Sequence, residues 1–166
     1  MITYPIYRGK RTDNNEWVRG FHVQRNDVRN NDPLFVNIPY HYILAQEEYS
    51  NGTFDPEIKW YPVIPETVDT YIGRTDDCGN EIFSGDIVEV VNNVGGRIHK
   101  DIIAVEYIQE HAAFVPCCWQ LCGISIHSIK VIGNIHDNPE LLHKDTQDAT
   151  TKKLHDLCEE GFRGLQ

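Results

Sequence analysis

The sequence lacks a long apolar run and an export signal. Its first residues, Met1 to Pro5, show neither the basic start nor the apolar stretch of a signal peptide. No later segment approaches the roughly 18 apolar residues that a membrane-spanning helix needs. Five cysteines, an odd number, favour reduced thiols over a disulfide framework. We therefore expect a cytoplasmic protein that does not associate with membranes.

Motifs that carry catalysis are also missing. The chain has no phosphate-binding glycine loop, no nucleophile elbow and no HExxH zinc motif. Acidic residues are plentiful between Glu47 and Glu89, but such a density produces close carboxylate pairs by chance and specifies no acid–base site. We predict a protein that is not an enzyme, with no catalytic residues, no bound metal and no cofactor.

The segment from Cys117 to His127 is the part of the chain with most metal-binding side chains. Cys118 and Cys122 have a spacing found among zinc ligands, and His111 is close in sequence. A zinc signature would show a second matched pair, which the sequence lacks. Cysteine also packs as a small buried apolar residue. Buried structural thiols are the preferred interpretation, and a small metal-binding enzyme built on this segment is an alternative.

Positive charge is scarce and unevenly placed. The formal net charge is −10, of which residues 47–89 carry −9, whereas residues 1–46 carry +2. An acidic middle repels phosphate backbones, so nucleic acid is not expected as a partner. Six basic residues near the start form either a local basic patch or, in the preferred interpretation, solvated charges: Arg8, Lys10, Arg11, Arg19, Arg25 and Arg29.

Strand signals dominate from the start to about residue 136. A polar turn at residues 12–15, followed by partial alternation at 16–23, predicts an N-terminal hairpin. Pro39 favours an edge strand or a bend over a central strand at 34–42, and residues 43–49 are predicted as a short helix. Further strands are predicted at 60–64, 70–73, 87–91, 102–108, 114–121 and 129–135.

Short strands joined by glycine-rich corners predict a mainly β protein, either a small SH3-like barrel or a bent antiparallel sheet. We predict an N-terminal β and loop extension at 1–60, an SH3-like β-barrel core at 61–137 and a helical C-terminal tail at 138–166, which together form one compact unit. Pro139 suits the first turn of that tail, with Asn138 as its N-cap.

Three segments resemble, in the same order, the YopX family of small proteins carried by phages and prophages. They read YRGKRTDNNEWVRGF at residues 7–21, VIPETVDTYIGRTDDCGNEIFSGDIVEV at 63–90 and VIGNIHDNPELL at 131–142. The resemblance implies a mainly β fold with SH3-like elements and a phage or prophage context. It implies no reaction.

Glu66, Thr67, Gly85 and Asp86 are the positions most typical of that family. In the preferred, structural interpretation Thr67 and Asp86 bind the backbone of turns, and Gly85 supplies an unusual backbone conformation. In the functional interpretation the four residues are candidate binding residues of a polar ligand site.

These observations predict a non-catalytic phage or prophage accessory protein that acts through protein–protein contacts, as a homo-oligomer or with a host or phage protein. A nucleic-acid-associated SH3-like module is an alternative supported by fold analogy. Trp17, Trp60 and Trp119 are assigned to the core or to sheet packing, whereas an exposed tryptophan would mark an interface.

Overall fold

The computed structural model describes residues 6–26, 39–46, 58–94, 96–109, 112–117, 120 and 124–142. The backbone of these residues is mainly antiparallel β, as the sequence predicts. The chain divides into two compact units, Met1–Tyr71 (unit 1) and Ile72–Gln166 (unit 2). The described strands are β1 (Tyr7–Lys10), β2 (Trp17–Asn26), β3 (Pro39–Gln46), β4 (Ile58–Pro62), β5 (Asp69–Thr75), β6 (Glu81–Phe83), β7 (Asp86–Val94), β8 (Arg97–Ala104), β9 (Tyr107–Ile108), β10 (Ala113–Phe114) and β11 (Ser125–Asn134).

Unit 1 is built around an antiparallel sheet in which the strands follow the order β4-β3-β2-β1-β5. The predicted N-terminal hairpin is confirmed, and the N–H of Arg11 donates to the carbonyl of Glu16 across its turn. β2 pairs with β1 over its first four residues and with β3 from Phe21 onward. This one strand therefore connects the two halves of the sheet.

β3 lies between β2 and β4, so an edge strand at Pro39 and a helix over the described part of 43–49 are both wrong. Residues 34–38, where the strand with Pro39 is predicted to begin, lie outside the described residues. Pro39 does not make the strand an edge, because it is the first residue of β3, a position that strands tolerate for proline. Residues 43–46 are extended and not helical, while residues 47–49 lie outside the described residues. Pairing with a strand on each side outweighs a weak local preference for helix.

The inner face of the unit 1 sheet carries Ile43, which is fully buried, and Val63, which is 3% exposed. Glycines allow close approach of the chain at two points. A Cβ on Gly20 would overlap the carbonyl oxygen of Leu44, and a Cβ on Gly9 would lie 3.2 Å from the Cβ of Val63. Glycine in a strand interior often marks such a close backbone approach.

Unit 2 contains a three-stranded sheet in the order β11-β7-β8. Val88 and Val90 of the central strand are fully buried. Two register shifts interrupt the pairing of β11 with β7, and such irregularities bend a strand. The hydrophobic core of the unit consists of Ile82, Val88, Val90, Ile103, Val105, Val115, Ile124 and Ile129.

This sheet does not close into a barrel. Among the described strands β8 and β11 are its two edges, so the bent antiparallel sheet is the predicted architecture that the structure has. Closure requires the edge strands to pair with each other. Here β7 pairs with both of them, and β9 pairs with β10 in a separate ribbon.

The prediction of a strand at 114–121 is wrong at residues 115–117 and 120, which follow the end of β10 at Phe114 and are not strand, while residues 118, 119 and 121 lie outside the described residues. Pro116 has no N–H to donate to a strand ladder, which opposes continuation. Residues Pro139–Leu141 form one turn of 3-10 helix, with Asn138 at the N-cap position but without a side-chain hydrogen bond to the turn. The predicted C-terminal helix beyond this turn lies outside the described residues, and the region boundaries at 60/61 and 137/138 stay predictions.

A buried carboxylate organises the corner between β5 and β6. Asp76 is 5% exposed and accepts hydrogen bonds from the backbone N–H groups of Cys78, Asn80 and Val131, at 2.9, 2.8 and 3.1 Å. Gly79 has a φ of 85°, as the turn chemistry predicts. Burial acts to raise the pKa of Asp76, but hydrogen bonds, first that of the Asn80 side chain, outweigh it and lower the pKa below its usual value.

Candidate binding surface

Thr67 and Glu66 lie in a single turn of 3-10 helix, Pro65–Thr67, that follows β4. The Thr67 hydroxyl donates to the carbonyl of Ile64 at 2.7 Å and accepts from the backbone N–H of Lys10 at 2.9 Å. Thr67 is buried and Glu66 is exposed. Thr67 therefore ties this turn to β1, which is the structural role that the sequence favours.

Gly85 and Asp86 form the corner between β6 and β7. Gly85 has a φ of 77°, in the left-handed region that favours glycine. Its N–H donates to the carbonyl of Val105 at 2.8 Å. Asp86 is 1% exposed, and its carboxylate accepts a hydrogen bond from the N–H of Phe83 at 2.8 Å. These contacts hold the corner in place.

The four predicted binding residues fall into two pairs, one in each unit, and neither unit contains all four. Thr67 and Asp86 direct their hydrogen bonds to backbone groups of their own unit. A ligand-binding role for Glu66, Thr67, Gly85 and Asp86 stays a prediction.

The cysteine segment is described only in part. Cys117 is half-buried, and its Sγ lies 4.0 Å from Nη1 of Arg74. His127 is exposed on β11, while Cys118, Cys122 and His111 lie outside the described residues. No group of three or more candidate metal ligands occurs within the residues that the structure describes. A metal-binding enzyme on this segment stays an untested alternative.

The outer face of unit 1 is the side of the sheet opposite to Ile43. Side chains alternate between the two sides of a strand. Ile43 and the residues paired with it, His22 and Tyr61, therefore point inward, and their neighbours in sequence point outward. Residues 58–62 alternate accordingly between exposed and half-buried. The fully buried Ile43 lies on the inner side, whereas the exposed residues of β4, which include Ile58 and Trp60, lie on the outer side.

Large apolar side chains occupy the outer face, where an antiparallel sheet usually shows polar residues. Phe21 is 51% exposed, Tyr40 53%, Ile58 60% and Trp60 50%. Tyr42 packs edge-on against Trp60, with ring centroids 5.9 Å apart. Exposed apolar patches mark interaction sites. The sheet register places Tyr40 and Ile58 toward opposite ends of the β3–β4 pair, with Tyr42 and Trp60 between them. We call Tyr40, Ile58 and Trp60 the aromatic patch.

Four basic residues share the same outer face. Arg19 and Arg25 lie on β2 at even spacing, while Arg8 and Lys10 of β1 pair with Arg19 and Trp17. The Arg8 guanidinium lies 4.7 Å from the centroid of the Trp17 ring, and the Lys10 ammonium lies 5.5 Å from it. These contacts place the β1 cations on one side of the sheet. We call Arg8, Lys10, Arg19, Phe21 and Arg25 the basic strip.

Acidic residues are scarce on this face. The one acid in the described strands of unit 1 is Asp69, whose Oδ2 lies 2.8 Å from Nη2 of Arg8. Arg11 is oriented differently from the strip: its guanidinium stacks 4.5 Å above the inward-facing Tyr61 ring and binds Asp13. The pairing register therefore concentrates cations on the outer face, although the whole chain is acidic.

Two histidines pair on the inner face. Nε2 of His22 lies 2.9 Å from Nδ1 of His41, and the rings stack with centroids 5.0 Å apart. Burial, and then the charge of His41, lower the pKa of His22 below its usual value. The hydrogen bond needs a donor on one ring and an acceptor on the other, and a doubly protonated pair has no acceptor.

The sequence gives a local basic patch with Arg8, Lys10 and Arg19 only as the less favoured interpretation, and it does not bring these cations and the exposed aromatic side chains to one face. Trp60 was expected in the core or in sheet packing and is half-exposed beside Tyr42, while Trp17 lies beneath two cations and Trp119 falls outside the described residues. The signal is present as a period of two, which groups the strand residues into two sets. That period cannot show which of the two sets is covered by the rest of the unit.

The fold and this surface define a mainly β protein with an open sheet face that carries aromatic and basic side chains. A family model described as YopX protein matches residues 6–143, which is most of the chain. The chain therefore belongs to the YopX family. No curated protein and no solved structure matches it. Within the described residues, the structure contains no helix with the length and apolar character needed to span a membrane.

Proposed function

We propose that this protein is a non-catalytic accessory protein of a phage or prophage that acts in the host cytoplasm through protein–protein contacts. The exposed aromatic patch is the observation that carries the proposal. Tryptophan and tyrosine are among the residues that contribute most binding energy at protein interfaces. Here Tyr40 and Trp60 lie on an open sheet face with Ile58, and all three are at least half exposed.

Burial of the patch by a partner would remove apolar surface from water, and this is the main favourable contribution to protein association. The patch lies on a sheet face, which can pack against a helix or against a second sheet. Both predicted kinds of partner, a second copy of the chain and a host or phage protein, fit this requirement. The proposal therefore assigns self-association and partner binding to the same three side chains.

A double substitution tests the patch against a matched control in unit 2. Ile58→Ala with Trp60→Ala removes two exposed side chains of the patch, and Ile98→Ala with Tyr107→Ala removes two from unit 2 that are 72% and 55% exposed. We expect light scattering to show a wild-type multimer that persists on dilution. The patch variant should have a lower molar mass, and the control variant should not.

Affinity purification from host cells that carry the phage supplies the second readout. A specific protein that copurifies with the wild type and with the control variant, but not with the patch variant, would support the proposal. If the patch variant keeps both the wild-type molar mass and every copurifying protein, the aromatic patch is not an interaction surface and the proposal fails.

A further inference from the structure

We infer that the basic strip of unit 1 binds single-stranded nucleic acid, a function beyond the protein contacts proposed for the aromatic patch. The two surfaces lie on different strands of the outer face. The strip belongs to β1 and β2, and the patch belongs to β3 and β4. Ile58 and Trp60 of the patch can therefore be changed without changing a residue of the strip.

Local charge is the first observation that supports this inference. Arg19 and Arg25 are exposed and lie six positions apart on β2, about 20 Å at the rise of an extended strand. No acidic residue lies on β1 or β2. Residues 47–89 carry −9 of the net charge of −10, and salt screens charges that lie more than about 8 Å apart at physiological ionic strength. The phosphates of a nucleic acid bound along β2 would therefore lie next to the positive charges of Arg19 and Arg25.

The second observation is the aromatic ring between the two arginines. Phe21 is 51% exposed and lies on the same side of β2 as Arg19 and Arg25. Proteins that bind single strands combine cations that follow the phosphates with rings on which bases stack. Tyr40 is paired with Arg25 in the sheet register and adds a second half-exposed ring beside the strip. Arg19, Phe21 and Arg25 therefore place one exposed ring between two exposed cations on β2.

The shape of the surface favours a single strand over a duplex. Direct readout of a duplex uses a helix or a β-ribbon that enters a groove, whereas the strip lies on the face of a sheet, flanked by neighbouring strands. Bases can stack on such a face only when they are unpaired. An acidic protein segment would also contact the exposed arginines, but it would bring no planar base to stack on Phe21.

Fluorescence anisotropy with labelled oligo(dT) and oligo(U) of about 12 nucleotides, a length typical of such sites, tests the inference. We expect both oligonucleotides to bind more tightly than a duplex of equal length. For two exposed arginines the logarithm of affinity should fall with the logarithm of salt concentration with a slope of about −1.4, at about −0.7 for each phosphate contact.

Two substitutions separate the contribution of charge from that of stacking. Arg25→Gln should reduce the salt slope by about half, because one phosphate contact is lost. Phe21→Leu keeps an apolar side chain but removes the ring, and it should weaken binding about tenfold without changing the slope. The matched controls in unit 2 are Arg97→Gln on β8 and Tyr107→Ala on β9, both at exposed positions, and they should bind like the wild type.

Four results would overturn the inference. The first two are no oligonucleotide binding at a low salt concentration of about 50 mM, and an affinity for the duplex equal to that for the single strands. The third is an unchanged affinity in both the Arg25→Gln and the Phe21→Leu variants. The fourth is competition by polyglutamate as strong as that by unlabelled oligonucleotide, which would indicate an acidic protein partner. The Ile58→Ala, Trp60→Ala variant keeps the two proposals apart. Oligonucleotide binding should persist in that variant even where self-association is lost.

Discussion

Arg8 and Asp69 form an ion pair across β1 and β5, although 61 positions separate them in sequence. Nη2 of Arg8 lies 2.8 Å and Nε 3.1 Å from Oδ2 of Asp69. The side chains are 16% and 8% exposed. Such a pair adds little stability over a well-packed apolar pair, but the loss of one partner leaves a desolvated charge. The pair therefore constrains which strand can lie beside β1.

Asp69→Ala should destabilise unit 1 because Arg8 would keep its charge without its carboxylate partner. We expect the free energy of unfolding in urea to fall by about 3 kcal/mol. Asp13→Ala is the control, since it removes the carboxylate of the solvent-exposed Arg11–Asp13 pair. Exposed pairs contribute little, so its unfolding midpoint should stay at the wild-type value. Equal shifts in the two variants would contradict a special role for the Arg8–Asp69 pair.

Asp76 should make unit 2 less stable in acid. The pKa of Asp76 is lowered in the folded state. Its contribution to the free energy of unfolding is therefore fully present above the ordinary pKa of 3.8, and it is lost as the pH falls through the pKa of the folded state. Asp76→Asn should be less stable near neutral pH and should lose less stability between about pH 5 and about pH 2. Urea midpoints across this range measure the difference. Parallel curves for the two proteins would show that Asp76 does not contribute.

His22 should make unit 1 less stable at mildly acidic pH. The pKa of His22 is lower in the folded than in the unfolded protein, so protons bind the unfolded state more tightly. The contribution of His22 to stability is therefore fully present above the ordinary pKa of 6.5, and it is lost as the pH falls through the pKa of the folded state. His22→Gln should flatten this dependence, whereas His127→Gln, at an exposed position, should not. Proton NMR should show the His22 ring titrating below pH 6.5; a higher midpoint would refute the argument.

Gly20→Ala should separate β2 from β3, because the added Cβ would overlap the carbonyl oxygen of Leu44. A backbone atom cannot move aside as the end of a side chain can, and we expect a loss of about 3 kcal/mol, at the upper end of ordinary substitutions. Gly9→Ala is the comparison. Its nearest contact is 3.2 Å from the Cβ of Val63, and the cost should be smaller. Thermal unfolding of both variants measures the two losses of stability, and Gly20→Ala should show the larger one.

Local features of the fold were predictable because neighbouring residues determine them. The hairpin turn at 12–15 and the positive φ of Gly79 follow from turn chemistry within four or five residues. The central position of β3 was not predictable in this way. It depends on pairing with β2 and with β4, which lie beyond segments of twelve and eleven residues in sequence.

The candidate surface shows the same division. Even spacing of Arg19, Phe21 and Arg25 already implies that they share one side of a strand. The acidic segment at 47–89 indicated that nucleic acid is not a partner, whereas the register of β1 and β2 brings the cations of these two strands to one face. The family-typical pairs Glu66–Thr67 and Gly85–Asp86 gave no indication of this face, because Thr67 and Asp86 bind backbone groups at turns.

The sequence by itself determined the β class, the family and the two sets of alternating side chains in each strand, since all of these depend on local pattern. Only the tertiary structure decided which set is packed, because burial exists once distant strands have paired. Ile43 and Trp60 differ in this respect: pairing places Ile43 inside and leaves Trp60 half-exposed, although both are large apolar residues of strands. The tertiary structure also decided that the sheet of unit 2 does not close into a barrel, because β8 and β11 both pair with β7 and not with each other.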